Sequence, residues 1–202
     1  MNKYFIAHKP YHVLSQFSSE DGKQTLKNIF NVPSNVYPVG RLDYDSEGLL
    51  ILTDDKRLNK LLLDPSFEHE REYWIQIEGE ISKQAIDTLE HGVEININGK
   101  IYHSKKCLVK KFYSFLPNVS KRIPPIRFRK NIPDSWISIV LTEGKNRQVR
   151  KMTARVGYPT LRLIRYRIEN VTLEQLMPGE MRTISQEEMY NLLKIKKDKL
   201  RC

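Results

Sequence analysis

Three short stretches of this 202-residue sequence carry side chains able to do covalent or acid–base chemistry. The first, Gly40-Arg41-Leu42-Asp43-Tyr44-Asp45-Ser46-Glu47-Gly48, runs straight into the apolar Leu49-Leu50-Ile51-Leu52. A carboxylate on a polar turn beside a buried strand is costly unless it is paired or used. Asp43 and Asp45 lie two positions apart and share a face on an extended backbone. Paired acids can hydrolyse glycosides or nucleosides, but that chemistry sets its carboxyls about 5–10 Å apart across a sugar. Neighbouring acids in one turn more often divide, one taking the chemistry and the other bonding local N–H groups. Asp43 is assigned the chemistry and Asp45 the turn.

The second stretch is Glu143-Gly144-Lys145-Asn146-Arg147-Gln148-Val149-Arg150-Lys151-Met152. If a helix starts at Asn146, Arg147 and Arg150 or Lys151 share a face, and the helix N-terminus adds partial positive charge. Such an end binds phosphate or keeps a carboxylate ionised. The third, Arg71-Glu72-Tyr73, places a tyrosine at the head of an alternating strand.

The elements that must position these residues can be read from patterning. Strands are expected at Tyr4–Ala7, Tyr11–Leu14, Gly48–Thr53, Glu72–Gly79, Val93–Ile97, Tyr102–Phe112, Trp136–Leu141 and Leu161–Ile168. Asn98-Gly99 is a hairpin turn between two of them. Helices are expected from Asp54 or Asp55 to Leu63, from Ser82 to Glu90, from Asn146 to Val156, and after the Ser185–Glu188 capping box, with a weaker one at Thr25–Phe30. Pro117 to Pro133 reads as a basic, proline-broken connection and Lys194 to Arg201 as a basic tail. Intermixed strands and helices with hairpin signals predict an α+β fold, a mixed, largely antiparallel sheet with flanking helices.

Composition narrows the function classes. From Ile95 to Ile168 there are 18 Lys and Arg against two acids, Asp134 and Glu143, while the remaining residues hold 16 Lys and Arg against 22 acids. A basic half beside an acidic remainder is the electrostatic footprint of a polyanion binder. Phe112, Tyr113, Phe115, Tyr158 and Tyr166 interleave aromatic rings among the cations, which allows base stacking. No apolar run approaches the roughly 18 residues that span a bilayer, and Pro10 comes too early for a signal peptide. Cys107 and Cys202 form no metal-ligand spacing or disulfide framework. A cytoplasmic monomer with no metal and no membrane partner is expected.

Together the motifs resemble the RsuA-type pseudouridine synthases. Lys9-Pro10, Gly40-Arg41-Leu42-Asp43 with Gly48-Leu49-Leu50, Arg71-x-Tyr73 and Glu143-Gly144-Lys145-x-x-Gln148-Val149-Arg150 follow the family's order from about Tyr4 to Ile184. His8 and Arg147 stand where the family usually has Asn and His. The resemblance implies one catalytic domain over residues 1–202 and two lobes with a central cleft; members of the family often carry an N-terminal S4-type RNA-binding domain, and none is expected here. It implies Asp43 as the catalytic carboxylate, Arg150 as its ion-pair partner, and Tyr73 stacked on a flipped uracil. Arg41, Lys145, Arg147, Gln148 and Lys151 are then expected RNA contacts. No cofactor is implied, and the substrate is a uridine of RNA, with 23S rRNA expected and 16S rRNA or tRNA the alternatives. A non-catalytic RNA-binding assembly factor is the rival class, although Asp43 and Tyr73 are both present.

Overall fold

The computed structural model describes residues 2–113, 116–126 and 132–195. In chain order the elements are β1 (Tyr4–Lys9), β2 (Val13–Leu14), β3 (Gln24–Thr25), β4 (Tyr37–Pro38), β5 (Glu47–Thr53), α1 (Lys56–Leu63), β6 (Arg71–Glu78) and α2 (Lys83–His91). There follow β7 (Glu94–Ile97), β8 (Lys100–His103), β9 (Leu108–Lys111), β10 (Asp134–Leu141), α3 (Gln148–Arg155), β11 (Thr160–Ile168), β12 (Val171–Thr172), β13 (Met181–Thr183) and α4 (Gln186–Leu192). The fold is α+β with largely antiparallel pairing, as expected; only the short β2–β3 pair is parallel among the registers described. The chain forms two compact units, residues 1–69 with 165–202, and residues 70–164. Among the described residues no helix is long and apolar enough to cross a membrane.

In the first unit β1 lies between β13 and β5. Every residue of β1 and β5 is buried, so neither strand shows the alternation of a half-exposed one. Phe5, Ala7, Leu50 and Leu52 pack with Val13, Leu26, Phe30 and Val36. Each buried Leu, Val and Phe side chain among them contributes about 1.5–3 kcal/mol. Asp55 begins α1 by accepting from the Arg57 and Leu58 N–H groups at 2.9 and 3.1 Å. Its other oxygen accepts from the Tyr4 and Tyr190 hydroxyls at 2.7 Å each, tying β1, α1 and α4 together.

In the second unit β10 pairs with β6 and β9. Ile75, Ile77, Ile137 and Ile139 face Ala85 and Leu89 of α2 and Val149 and Met152 of α3 within one core. Two expectations change. The Tyr102–Phe112 strand is broken: Ser104 exchanges bonds with Val93, donating N–H to its carbonyl (3.0 Å) and accepting its N–H on Oγ (2.9 Å), which ends β8 before β9 joins β10. The Thr25–Phe30 helix is only one 3-10 turn at Leu26–Asn28. Phe115 and the tail from residue 196 lie outside the described residues.

Candidate active site

The Asp43 turn belongs to the first unit, and three ties fix it. Ser15, buried in the preceding segment, donates its hydroxyl to the Leu42 carbonyl at 2.8 Å and accepts the Leu42 N–H at 3.0 Å. The Asp43 carbonyl accepts from the Ser46 N–H at 3.0 Å, closing a four-residue turn. The Tyr44 carbonyl accepts from the His12 N–H at 2.9 Å. Leu42 is buried, Asp43 and Asp45 are half-buried, and Arg41 is exposed. Past the turn, Gly48 has φ +115°, and a Cβ there would stand 2.4 Å from the Arg165 carbonyl oxygen. Only glycine lets these two backbones approach so closely.

A cation stands in the same unit. Lys9, register partner of Gly48, is fully buried and donates its ammonium to the Val13 and Pro10 carbonyls at 2.6 and 2.9 Å. Burial pushes its pKa down to about 7; Glu47, Asp45 and Asp43 oppose that fall in that order, while Arg165 adds to it. Sequence reasoning found Lys9 only through a motif and gave it no task. Its signal was a charged residue closing the apolar run Tyr4-Phe5-Ile6-Ala7. Glu47, 2 % exposed, was likewise passed over.

In the second unit, Tyr73 sits half-buried on β6 opposite Ile139 and packs against the core. The Glu143–Arg147 loop hangs from a buried carboxylate. Glu143 accepts from the Tyr102 hydroxyl, the Lys105 N–H (2.9 Å) and the Gln148 side-chain amide. The Gln148 side-chain oxygen Oε1 in turn accepts the Lys145 N–H at 2.9 Å. The bond to Glu143 and burial raise the Tyr102 phenol to about 12. Gln148, expected to touch RNA, is therefore buried with both ends of its amide occupied, and it shapes the loop instead. Neither Glu143 nor Tyr102 was given this part by the sequence; one of only two acids among 18 basic residues was the available hint.

The loop presents Lys145, Asn146 and Arg147 to solvent, with the Lys145 ammonium 5.1 Å from the Tyr102 ring centre. Arg147 lies before the helix, with φ +52°, because α3 begins at Gln148 and not at Asn146. It does not share a helix face with Arg150 or Lys151. Arg150 and Lys151 are half-buried on the first turns of α3, and the Arg150 guanidinium donates to the Thr160 carbonyl at 3.5 Å. No group of three or more His, Cys, Asp or Glu side chains close enough to hold a metal occurs among the described residues. Cys107 is buried, its thiol pushed up to about 12 by burial and donating to the Leu89 carbonyl.

The sequence and the fold both match known proteins. A family model described as RNA pseudouridylate synthase matches residues 3–155, a span that holds Lys9, Asp43, Tyr73 and Arg150. The chain belongs to that family. The synthase is 43% identical over 182 residues to ribosomal large subunit pseudouridine synthase E of Vibrio parahaemolyticus, covering 90% of this chain and 74% of the relative. The protein of the same name from Xanthomonas campestris is 45% identical over 179 residues, 88% of this chain and 92% of the relative. A crystal structure of a pseudouridylate synthase superposes with a TM-score of 0.74 at 24% identity, covering 95% of this chain and 74% of that one, which shows the fold. An RNA pseudouridine synthase is an isomerase.

Proposed function

We propose that the synthase converts a uridine of large subunit ribosomal RNA to pseudouridine, with Asp43 as the reacting carboxylate. The observation that carries this reading is the Asp43 turn itself: a half-buried carboxylate, its backbone clamped by Ser15, held in the field of the buried Lys9. The reaction breaks the N1–C1′ bond, turns the uracil, and joins C5 to C1′; the hydrogen leaves C5 and N1 gains one. Atoms and electrons balance within one nucleotide, so the protein needs to supply only a carboxylate, a proton path and a means of holding the base. A carboxylate can act covalently at sugar or base, or ease departure of the uracil. It must be ionised to do so.

Tyr73 is assigned to stack on the extruded uracil and to move the C5 proton. Arg150 is assigned as the ion-pair partner of Asp43. Exposed Arg41, Lys145 and Arg147, with Lys151, are assigned to phosphates, which position RNA without reading its sequence. The large-subunit target is supported by the names of relatives 43% and 45% identical to this chain. The cytoplasm is the proposed compartment and the monomer the acting unit.

Pseudouridine mapping of RNA from cells with and without the gene tests the reading. Loss of modification at a large-subunit position is expected. Loss confined to small-subunit RNA or tRNA would overturn the choice of RNA, and an unchanged map would overturn the activity.

A further inference from the structure

Three rings stand beside the candidate carboxylate that the proposed reaction leaves without a task. Tyr11, His12 and Tyr44 form a continuous stack: His12 lies 3.9 Å from Tyr11 with planes at 26°, and 4.7 Å from Tyr44 with planes at 7°. His12 is exposed and the two tyrosines are half-exposed. Tyr44 directly follows Asp43 in the chain.

The segment that carries the stack is fastened at several points. His12 takes φ +56°, a left-handed conformation that a non-glycine residue adopts only against a steric penalty. Observed strain of that kind concentrates where a site is pre-organised. The same segment is fastened by the His12 N–H to the Tyr44 carbonyl, by the Lys9 ammonium to the Val13 and Pro10 carbonyls, and by Ser15 to Leu42. A fixed backbone thus presents prealigned aromatic rings at the edge of the Asp43 turn. Rings of this type stack any nucleobase, because every base has a π-face.

The need for such a surface follows from the proposed reaction. A uridine extruded from a strand leaves the bases beside it without a stacking partner, and that loss opposes extrusion. Tyr73 is already assigned to the uridine itself. We infer that the Tyr11–His12–Tyr44 stack, through Tyr44, receives a base flanking the target uridine and so helps hold the RNA in its opened form. The inference rests on the proposed reaction, and it adds a nucleobase subsite to it.

The test is single-turnover pseudouridine formation on unmodified, protein-free 23S rRNA transcript, with RNA concentration varied, for wild type, Tyr44→Ala, Tyr44→Leu and Tyr44→Phe. Tyr44→Leu keeps apolar bulk and removes only the ring, so it guards against simple loss of packing. Both ring-less variants are expected to raise the half-saturating RNA concentration roughly 5- to 150-fold, the range of one base–aromatic stack, with little change in the saturating rate. Tyr44→Phe is expected to restore it. Half-saturation within two-fold of wild type for both ring-less variants would overturn the subsite, as would a loss of saturating rate alone or an equal loss in Tyr44→Phe. If wild type itself forms no pseudouridine on any RNA, the proposed reaction falls and the subsite with it, which separates the two failures.

Discussion

Placing an ammonium inside a fully buried strand costs free energy that only its partners recover. Lys9 has such partners in two carbonyls and in the carboxylates of Glu47, Asp45 and Asp43. Its folded pKa of about 7 lies below the ordinary 10.5, so between those values the folded state holds fewer protons than the unfolded chain. Stability attributable to Lys9 therefore rises with pH through that window, and its penalty is full below about pH 7. The slope is at most about 1.4 kcal/mol per pH unit. Urea unfolding of wild type and Lys9→Met at pH 7 and pH 9 should show wild type gaining roughly 2 kcal/mol relative to the variant. Parallel stabilities at the two pH values would mean that Lys9 titrates as an ordinary lysine.

At the scale of elements, the turn and strand that carry Asp43 depend on one backbone contact. A methyl at Gly48 meets the Arg165 backbone at 2.4 to 2.9 Å, and the φ of +115° is itself unfavourable for any side chain. Gly48→Ala should destabilise the fold by about 3 kcal/mol or more, read as a lowered urea midpoint, since backbone on β11 cannot rotate out of the way. An unchanged midpoint would show that the two strands can part without cost. The same scale shows what patterning can reveal. The fully buried run Gly48–Thr53 and the capped helices after Asp55, Ser82 and Ser185 were legible because propensity, capping and burial agree there. The break after His103 was not, because it is made by Ser104 reaching back to Val93, a contact eleven residues away that no local pattern encodes. The start of α3 was misplaced for a similar reason. Gln148 binds Glu143 and the Lys145 N–H, which holds residues 143–147 as a loop although Asn146 and Arg147 can enter a helix. Of the candidate site, candidates for the reacting residues can be named from type and order. The parts that Ser15, Lys9, Tyr102 and Glu143 play in holding the two loops became visible only through distances.

For the whole molecule, charge is the property most closely tied to its substrate. Lys100, Lys105, Lys106, Lys110, Lys145 and Arg147 are exposed in the second unit, and Arg41 in the first. Each cation that replaces a counterion on single-stranded RNA contributes about 0.7 to the slope of log affinity against log salt. Four such contacts give a slope of about −3. Titration of 23S rRNA transcript from 50 to 200 mM salt should show at least that dependence, and a flat response would mean that the basic half serves another purpose. In the proposed reaction this molecule isomerises uridine through Asp43. Its most direct measurement is pseudouridine in unmodified 23S rRNA transcript after incubation with purified wild type and with Asp43→Asn, folding of both checked by circular dichroism. The account predicts pseudouridine at a defined position with wild type and none with Asp43→Asn. Equal pseudouridine formation by the variant would contradict it.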